Sequence, residues 1–231
     1  MVDALIFDVD GTLAETEELH RRAFNDAFAA QGLLWHWTQR DYHRLLKVTG
    51  GKERIAAHMA AIGADPARVD IPALHADKTA RYTALMAQGE IALRPGVQGL
   101  IDAAQSHGVR LAIATTTSRP NVDALAQAIW GRPAEDLFGV IACGDEVAAK
   151  KPAPDVYRLA LGRLGVVPAR AVALEDSRNG LLSAQAAGIG VIVTPSAYTG
   201  DEVFDGALAV LPGLDHLGGL DGVRQVMGDR R

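Results

Sequence analysis

Cysteine is almost missing from this chain: Cys143 is the one such residue among 231. No internal disulfide can form, so the fold must stand on a hydrophobic core, as expected in a reducing compartment. Aromatic residues are also sparse, at 5%. Positive charge is in deficit, since 23 Lys and Arg face 28 Asp and Glu and leave a formal net charge of −5. With no basic excess, nucleic acid is a poor bulk partner. No run of about 20 apolar residues occurs, so no membrane-spanning helix is expected. The opening "MVDALIFDVDG" has no basic stretch, and acids interrupt its apolar residues, unlike a secretion signal. These exclusions lead to the expectation of a cytoplasmic, monomeric, globular protein.

What is present is a core-forming composition, 48% hydrophobic and only 22% charged. Short apolar runs recur: "ALIFDVD" (4–10), "RLAIATT" (110–116), "GVIAC" (139–143), "RAVALE" (170–175) and "IGVIVT" (189–194). Runs without polar alternation suit strands covered on both faces. Between them "PGVQGLIDAAQSHG" and "KPAPDVYRLALGRLG" begin with or near Pro and close with Gly, the punctuation of helices. Strands alternating with helices predict an α/β fold with a Rossmann-like, doubly wound parallel sheet.

Residues 15–90 break this rhythm and hold only helical patterns, with Leu19, Ala23, Phe24, Ala27 and Phe28 on one face of the first. An all-helical cap over 15–90, inserted into a core made of 1–14 and 91–231, is the expected organisation. Five of the seven histidines fall in the insertion, and its charges balance, which leaves the −5 to the core.

In a parallel sheet, ligands gather beyond the carboxyl ends of the strands. Those ends supply Asp8 and Asp10, then Thr115 and Thr116, then Lys151, then Glu175 and Asp176. Two acid pairs, hydroxyls and an ammonium on one edge suit a hard divalent cation that holds a phosphate. Separately, each piece has a plainer reading: a turn in "DVDG", helix caps in "ATTTS" and "LEDS", a solvated lysine in "KKP". A calcium loop counted from Ile6 fails because its first ligand position is apolar and a strand precedes it.

D-x-D-G-T, the Thr after the second strand, Lys-Pro and the acidic pair resemble the four motifs of the haloacid dehalogenase superfamily of phosphotransferases, over nearly the whole chain. The insertion resembles the subclass I cap found in β-phosphoglucomutase and small sugar phosphatases. "DVDGTLAETEELHRRAFN", "TGGKERIA", "GDEVAAKKPAPDVYRLAL" and "LEDSRNG" are similar to CbbY-type xylulose-1,5-bisphosphate phosphatases of carbon-fixing bacteria and plastids. The resemblance implies a Mg2+-dependent phosphatase for a small phosphorylated sugar. Asp8 would be the nucleophile and form an aspartyl phosphate, and Asp10 the acid and base. Mg2+ would sit on Asp8, the Asp10 carbonyl and Asp176, with Glu175 assisting. Thr115, the Thr116 amide and Lys151 would hold the phosphoryl oxygens. A sugar phosphomutase on the same scaffold is the nearest alternative. A phospho-accepting signalling domain would need no cap, and a metal-binding module would not need Thr115 or Lys151.

Specificity is expected from the cap. "TGGKER" offers Gly50 and Gly51, whose backbone can approach a ligand, beside Lys52, Glu53 and Arg54. Glu17 and His20 share a helix face, as do His75 and Lys78. Lys52, Arg54, His75 and Lys78 are candidates for a distal phosphate, and Glu17 for sugar hydroxyls. Thr117, Ser118 and Arg119 extend the second motif. Cys143 is expected in the core, and His36 packed in the cap beside Trp35 and Trp37.

Overall fold

Six parallel strands carry the molecule, and the chemistry-bearing loops all leave the same edge. A computed structural model describes residues 2–89 and 91–228; Met1, Glu90 and 229–231 lie outside the described residues, and with Glu90 the expected end of the insertion. The chain runs through β1 (Ala4–Phe7), α1 (Glu17–Ala30), α2 (Gln39–Leu45), α3 (Gly51–Ile62), α4 (Ile71–Gln88) and α5 (Val97–Ser106). It continues through β2 (Arg110–Ala114), α6 (Arg119–Trp130), β3 (Val140–Ala142), α7 (Asp155–Leu164) and β4 (Ala171–Glu175). The last elements are α8 (Arg178–Ala186), β5 (Gly190–Val193), β6 (Ala209–Val210) and α9 (Gly219–Gly228).

The strand order is β3-β2-β1-β4-β5-β6, with every neighbouring pair parallel. The doubly wound expectation holds. Its topological switch lies between β1 and β4, where ligands bind in such sheets. Phe7 is level with Ile113 and Leu174, so the next residue, Asp8, emerges beside the ends of β2 and β4.

The strands are shorter than the apolar runs that announced them. β1 stops at Phe7 because the chain turns at once: Thr12 and Leu13 both donate backbone bonds to the Val9 carbonyl. Asp8 keeps one bond to the neighbouring strand, from its N–H to the Leu174 carbonyl at 3.0 Å, and Asp10 sits in the turn beyond. β6 was not foreseen, since two residues carry no periodic signal.

The two faces of the sheet differ in side-chain size. Leu5, Phe7, Leu111, Ile113, Val172 and Leu174 line one face and pack under α5, α6 and α9. Ala4, Ala112, Ala114, Ala171 and Ala173 dominate the other, where α7 and α8 lie.

Helices α1–α4 enclose their own apolar cluster, with Phe24, Phe28, Trp37, Tyr42, Ile55 and Met59 among its buried members. Ala23, Phe24, Ala27 and Phe28 are buried as their spacing implies, whereas Leu19 is half-buried and packs against the sheet's cluster. His36 is exposed, contrary to expectation. Alternate residues of the extended stretch face opposite ways, so Trp35 and Trp37 turn inward and His58 of α3 meets both rings, at 5.2 and 5.3 Å.

Candidate active site

The sheet side of the site is a locked charge network. Lys151 places its three protons on three acceptors: Asp8 Oδ1 at 2.6 Å, Glu175 Oε1 at 2.6 Å and the Ala114 carbonyl at 2.9 Å. Tyr157 of α7 donates to the same Glu175 oxygen at 2.5 Å. Glu175 Oε2 is buried with no hydrogen-bond partner. Helix α8 approaches so closely that a Cβ on Gly180 would come within 1.8 Å of that atom. Ser177 caps α8 through a bond from Gly180 N, so the "LEDS" stretch serves both as a helix cap and as part of the site.

Asp8, Glu175 and Asp176 offer carboxylate oxygens that all lie within 4.8 Å of one another. Burial pushes Asp8 up to about 7, with the charge of Glu175 adding to it and Lys151 opposing. Burial, then the negative charges of Asp8 and Glu175, raise Asp176 well above the carboxylate range. Gly11, at φ +82°, lets Asp176 press against the backbone, where a Cβ would lie 2.3 Å from its Oδ2. Three crowded carboxylates against one ammonium fit a hard divalent cation. Asp8 and Asp176 line the cavity between sheet and insertion, whereas Glu175 lies behind them with one oxygen on Lys151 and Tyr157.

Asp10 belongs to the other side. Thr16 Oγ1 donates to Asp10 Oδ1 at 2.5 Å, and His20 Nε2 lies 2.9 Å from the same oxygen. Burial alone would raise Asp10, but His20, Thr16 and Lys78 outweigh it and bring the group down to about 2. A carboxylate only accepts, so His20 carries its proton on Nε2, and Nδ1 accepts from Lys78 Nζ at 2.6 Å. The His20 ring stacks on Tyr82 at 3.9 Å. Thr16 is the N-cap residue of α1 but makes no side-chain cap bond, since its hydroxyl serves Asp10. Forgoing such a cap costs about 1 kcal/mol, which Glu17 and Glu18 in the first turn partly offset.

A cavity of about 520 Å³ lies between the sheet edge and the helices, within the usual range for small-molecule sites. Asp8, Asp10, Glu17, Thr115, Lys151 and Asp176 line it, as do Thr116, Thr117 and Ser118. So do Gly50, Gly51, Lys52, Glu53, Arg54 and His75. Arg119 does not. It points to solvent and pairs with Asp123 at 2.8 Å and Glu135 at 2.5 Å, because the first turn of α6 rotates it outward. His20 and Lys78 also reach the cavity, but His20 is bonded to Asp10 and Lys78 to His20, a different place from the distal subsite expected of Lys78.

Glu17 Oε2 accepts from Tyr42 OH at 2.8 Å, and Arg54 donates to that hydroxyl at 2.9 Å. Arg54 is thus buried, while Lys52 is exposed at the cavity's mouth. Gly50 caps α3 with φ +92°, and the Glu53 carboxylate folds against it. Gly51 touches His75: a Cβ there would come 2.3 Å from His75 Nε2. Cys143 is buried, its thiol pushed up to about 12 by burial, so it is core and not nucleophile.

Sequence reasoning missed Thr16, Tyr42, Tyr157 and Asn121. Asn121 donates to Thr117 Oγ1 at 2.8 Å, lines the cavity and keeps Oδ1 buried without a partner. Its signal was a polar residue in the buried stripe of α6 with Val122, Leu125 and Ala126.

Residues 2–188 match the family model for haloacid dehalogenase-like hydrolases. The protein CbbY of Cereibacter sphaeroides is 58% identical over 96% of this chain and 97% of its own length. A crystal structure of CbbY from Rhodobacter sphaeroides with phosphate superposes with a TM-score of 0.95 at 57% identity, covering 97% of this chain and 100% of that one. A variant of that enzyme, solved with xylulose-1,5-bisphosphate, gives 0.94 at 58% identity, over 96% and 99%. Motifs, fold and relatives agree: this chain belongs to the haloacid dehalogenase-like hydrolases, on the CbbY branch.

Proposed function

We propose that the protein is a magnesium-dependent phosphatase that converts a pentulose bisphosphate, xylulose-1,5-bisphosphate, to xylulose-5-phosphate through phosphorylated Asp8. The observation that carries the reading is one cavity walled by two kinds of group. A cluster of carboxylates around Lys151 lies on the sheet side, and Lys52, Arg54 and the α3 N-terminus lie on the insertion side. A helix N-terminus beside two cations is suited to an anion. A near-full-length relative is solved with that bisphosphate.

In the first step an Asp8 oxygen forms a bond to phosphorus, the bond to the sugar oxygen breaks, and Asp10 gives that oxygen a proton. In the second, water attacks the phosphorus of phospho-Asp8, Asp10 takes its proton, and phosphate leaves. At rest, Asp10 is the carboxylate that the second step needs. A bound phosphate dianion favours its protonated form, as the first step requires. Mg2+, held by Asp8, Asp176 and the Asp10 carbonyl, would offset charge between an anionic nucleophile and an anionic phosphate. Thr115, the Thr116 amide and Lys151 orient the phosphoryl oxygens. Cytoplasmic residence fits the single, unpaired, buried Cys143.

The test is phosphate release from a panel of sugar mono- and bisphosphates, with Mg2+ and with excess chelator. Fast release from the pentulose bisphosphate, abolished by chelator, is expected. Isomer formation without net phosphate release would make the protein a mutase, and full activity in chelator would remove the metal from the mechanism.

A further inference from the structure

The segment that follows β5 reaches both walls of the site through two adjacent residues. Thr199 is buried; its hydroxyl accepts from Ser196 N at 2.8 Å and donates to the Asp176 carbonyl at 2.7 Å. Tyr198 faces the other way. Its hydroxyl donates to Glu18 Oε2 on α1 at 2.7 Å, and its ring meets Tyr42 edge-on at 5.8 Å. At the root of the segment, Arg94 donates to the carbonyls of Thr194 and Pro195, each at 2.7 Å, and also holds the Gly11 carbonyl. Arg94 pairs with Glu15 at 3.1 Å, and Ala14 bridges Leu93, so the mount is tied to both links between sheet and insertion.

We propose that Tyr198 is a positioning residue: it latches the helical insertion over the acids by holding α1 through Glu18, with Thr194–Thr199 as its rigid mount. The inference rests on the phosphatase reading of the same cavity. Helix α1 is the one that matters, because it brings His20 to Asp10. The other polar contacts between the two walls touch the next stretch instead, while Leu19 and Ala23 of α1 add apolar packing on the sheet's cluster. Thr49 donates to the Lys151 carbonyl, Asn179 to the Lys47 carbonyl at 3.2 Å, and His43 pairs with Asp201 at 3.2 Å. The latch is a charge-assisted bond. Arg21 donates to both Glu18 oxygens, at 3.0 and 3.2 Å, and chiefly through this bond Glu18 is brought down to about 2. Burial, with Glu18 alongside, raises the Tyr198 phenol, which therefore remains a donor throughout the neutral range.

If the latch sets how often the insertion is seated, losing it lowers the binding-competent fraction, which appears in KM more than in kcat. Tyr198→Phe removes only the hydroxyl and leaves the ring contacts. With Glu18 partly exposed, the effect belongs at the low end for a charge-assisted bond, about three- to tenfold. Amide hydrogen exchange on the substrate-free chain should quicken by that factor in residues 11–16, 91–95 and the first turn of α1, while the strands hold. KM for the bisphosphate should rise about three- to tenfold with kcat within about twofold. Glu18→Gln, which keeps an acceptor oxygen, should show less than half of this effect. Unchanged exchange in both links would overturn the latch. So would exchange raised across the sheet with kcat falling alongside KM, because Tyr198 would then support the fold. Exchange is read without turnover, so a wild-type chain that releases no phosphate would refute the phosphatase reading while the latch was still decided.

Discussion

The two walls of the cavity hold their chemistry by different means. On the sheet side, Asp8, Thr115, Glu175 and Asp176 leave the ends of adjacent parallel strands, and backbone register alone brings them level. On the insertion side, Glu17, His20, Arg54, His75 and Lys78 come from α1, α3 and α4, which meet through an aromatic cluster. The charge logic differs as well. The sheet wall crowds carboxylates round one ammonium and asks for a cation. The insertion wall brings cations and neutral imidazoles, and asks for an anion. A phosphorylated substrate in the cavity lies between these two demands.

The contrast is tested most severely at Asp8. Asp8→Asn preserves shape but removes the proposed nucleophile and a charge proposed to bind the metal, so phosphate release should fall by at least about 1,000-fold. Folding should survive, since burial and Glu175 already disfavour the charge there. Asp10→Asn, on the border of the two walls, should cost about a hundredfold or more through lost proton transfer. Near-normal turnover by a folded Asp8→Asn protein would end the covalent mechanism.

The same contrast explains what was legible beforehand. Apolar runs that alternate with helices dictate a parallel sheet, and such a sheet places strand-end residues on one edge; Asp8, Thr115, Glu175 and Asp176 follow without knowledge of any side-chain contact. Lys151 needed one tertiary step, and it is nevertheless where the motif order put it, on Asp8. In the insertion, spacing showed only that His75 and Lys78 share a face. It could not show that Lys78 turns to His20 and not to the cavity's far end, because that depends on how α4 packs on α1. Arg119 fails for a related reason. One turn of helix separates the cavity from solvent, and no local pattern fixes which residue of "TSRPN" faces in. Tyr157 is a core residue by periodicity, and its hydroxyl finds Glu175 only once the sheet exists.

The insertion wall is tested at Lys52 and Arg54. A charge-assisted bond to a distal phosphate is worth roughly 1.5–3 kcal/mol, so Lys52→Ala should lose about ten- to over a hundredfold in kcat/KM on the bisphosphate. Hydrolysis of a small monophosphate without a distal group should change by less than about threefold. Arg54→Ala should match this loss and also lower the melting temperature, since Arg54 is buried and bonded to Tyr42. Equal losses on both substrates would give these residues to the folding of the insertion.

The sheet wall's close packing has its own test. Gly180→Ala drives a methyl group into the Glu175 carboxylate, which Lys151 and Tyr157 hold in place. Overpacking of this kind costs about 1–3 kcal/mol. Gly162→Ala, on the exposed face of α7 with nothing within 4 Å of its added Cβ, should be neutral or stabilising by up to about 1 kcal/mol. Calorimetry of the two variants side by side measures the approach of α8. If both shift the melting temperature equally, helix propensity and not the carboxylate decides, and the sheet wall is looser than its geometry implies.

The smallest effect expected is also the one that separates the walls by pH. His75 packs against Gly51 in the insertion, and burial, then the charges of Lys78 and Lys52, bring it down to about 4. In the unfolded chain it titrates near the ordinary value of about 6.5. Between those pH values the unfolded state binds the extra proton, so stability rises with pH across the window. Its full value is present above about pH 6.5, and the His75 share is lost as pH falls towards 4. Partial exposure screens the effect to roughly 1–2 kcal/mol, or about 2–8 °C in melting temperature for a chain of this size. His75→Gln cannot titrate, so its melting temperature should fall less than the wild type's between pH 7 and 4.5, by that amount. The loss should be local: amide exchange at pH 4.5 should quicken in α3 and α4 before it does in the strands, because the charge that enters lies in the insertion. Identical pH slopes for wild type and His75→Gln would show that the imidazole is solvated, and the insertion wall would then be as tolerant of acid as the sheet.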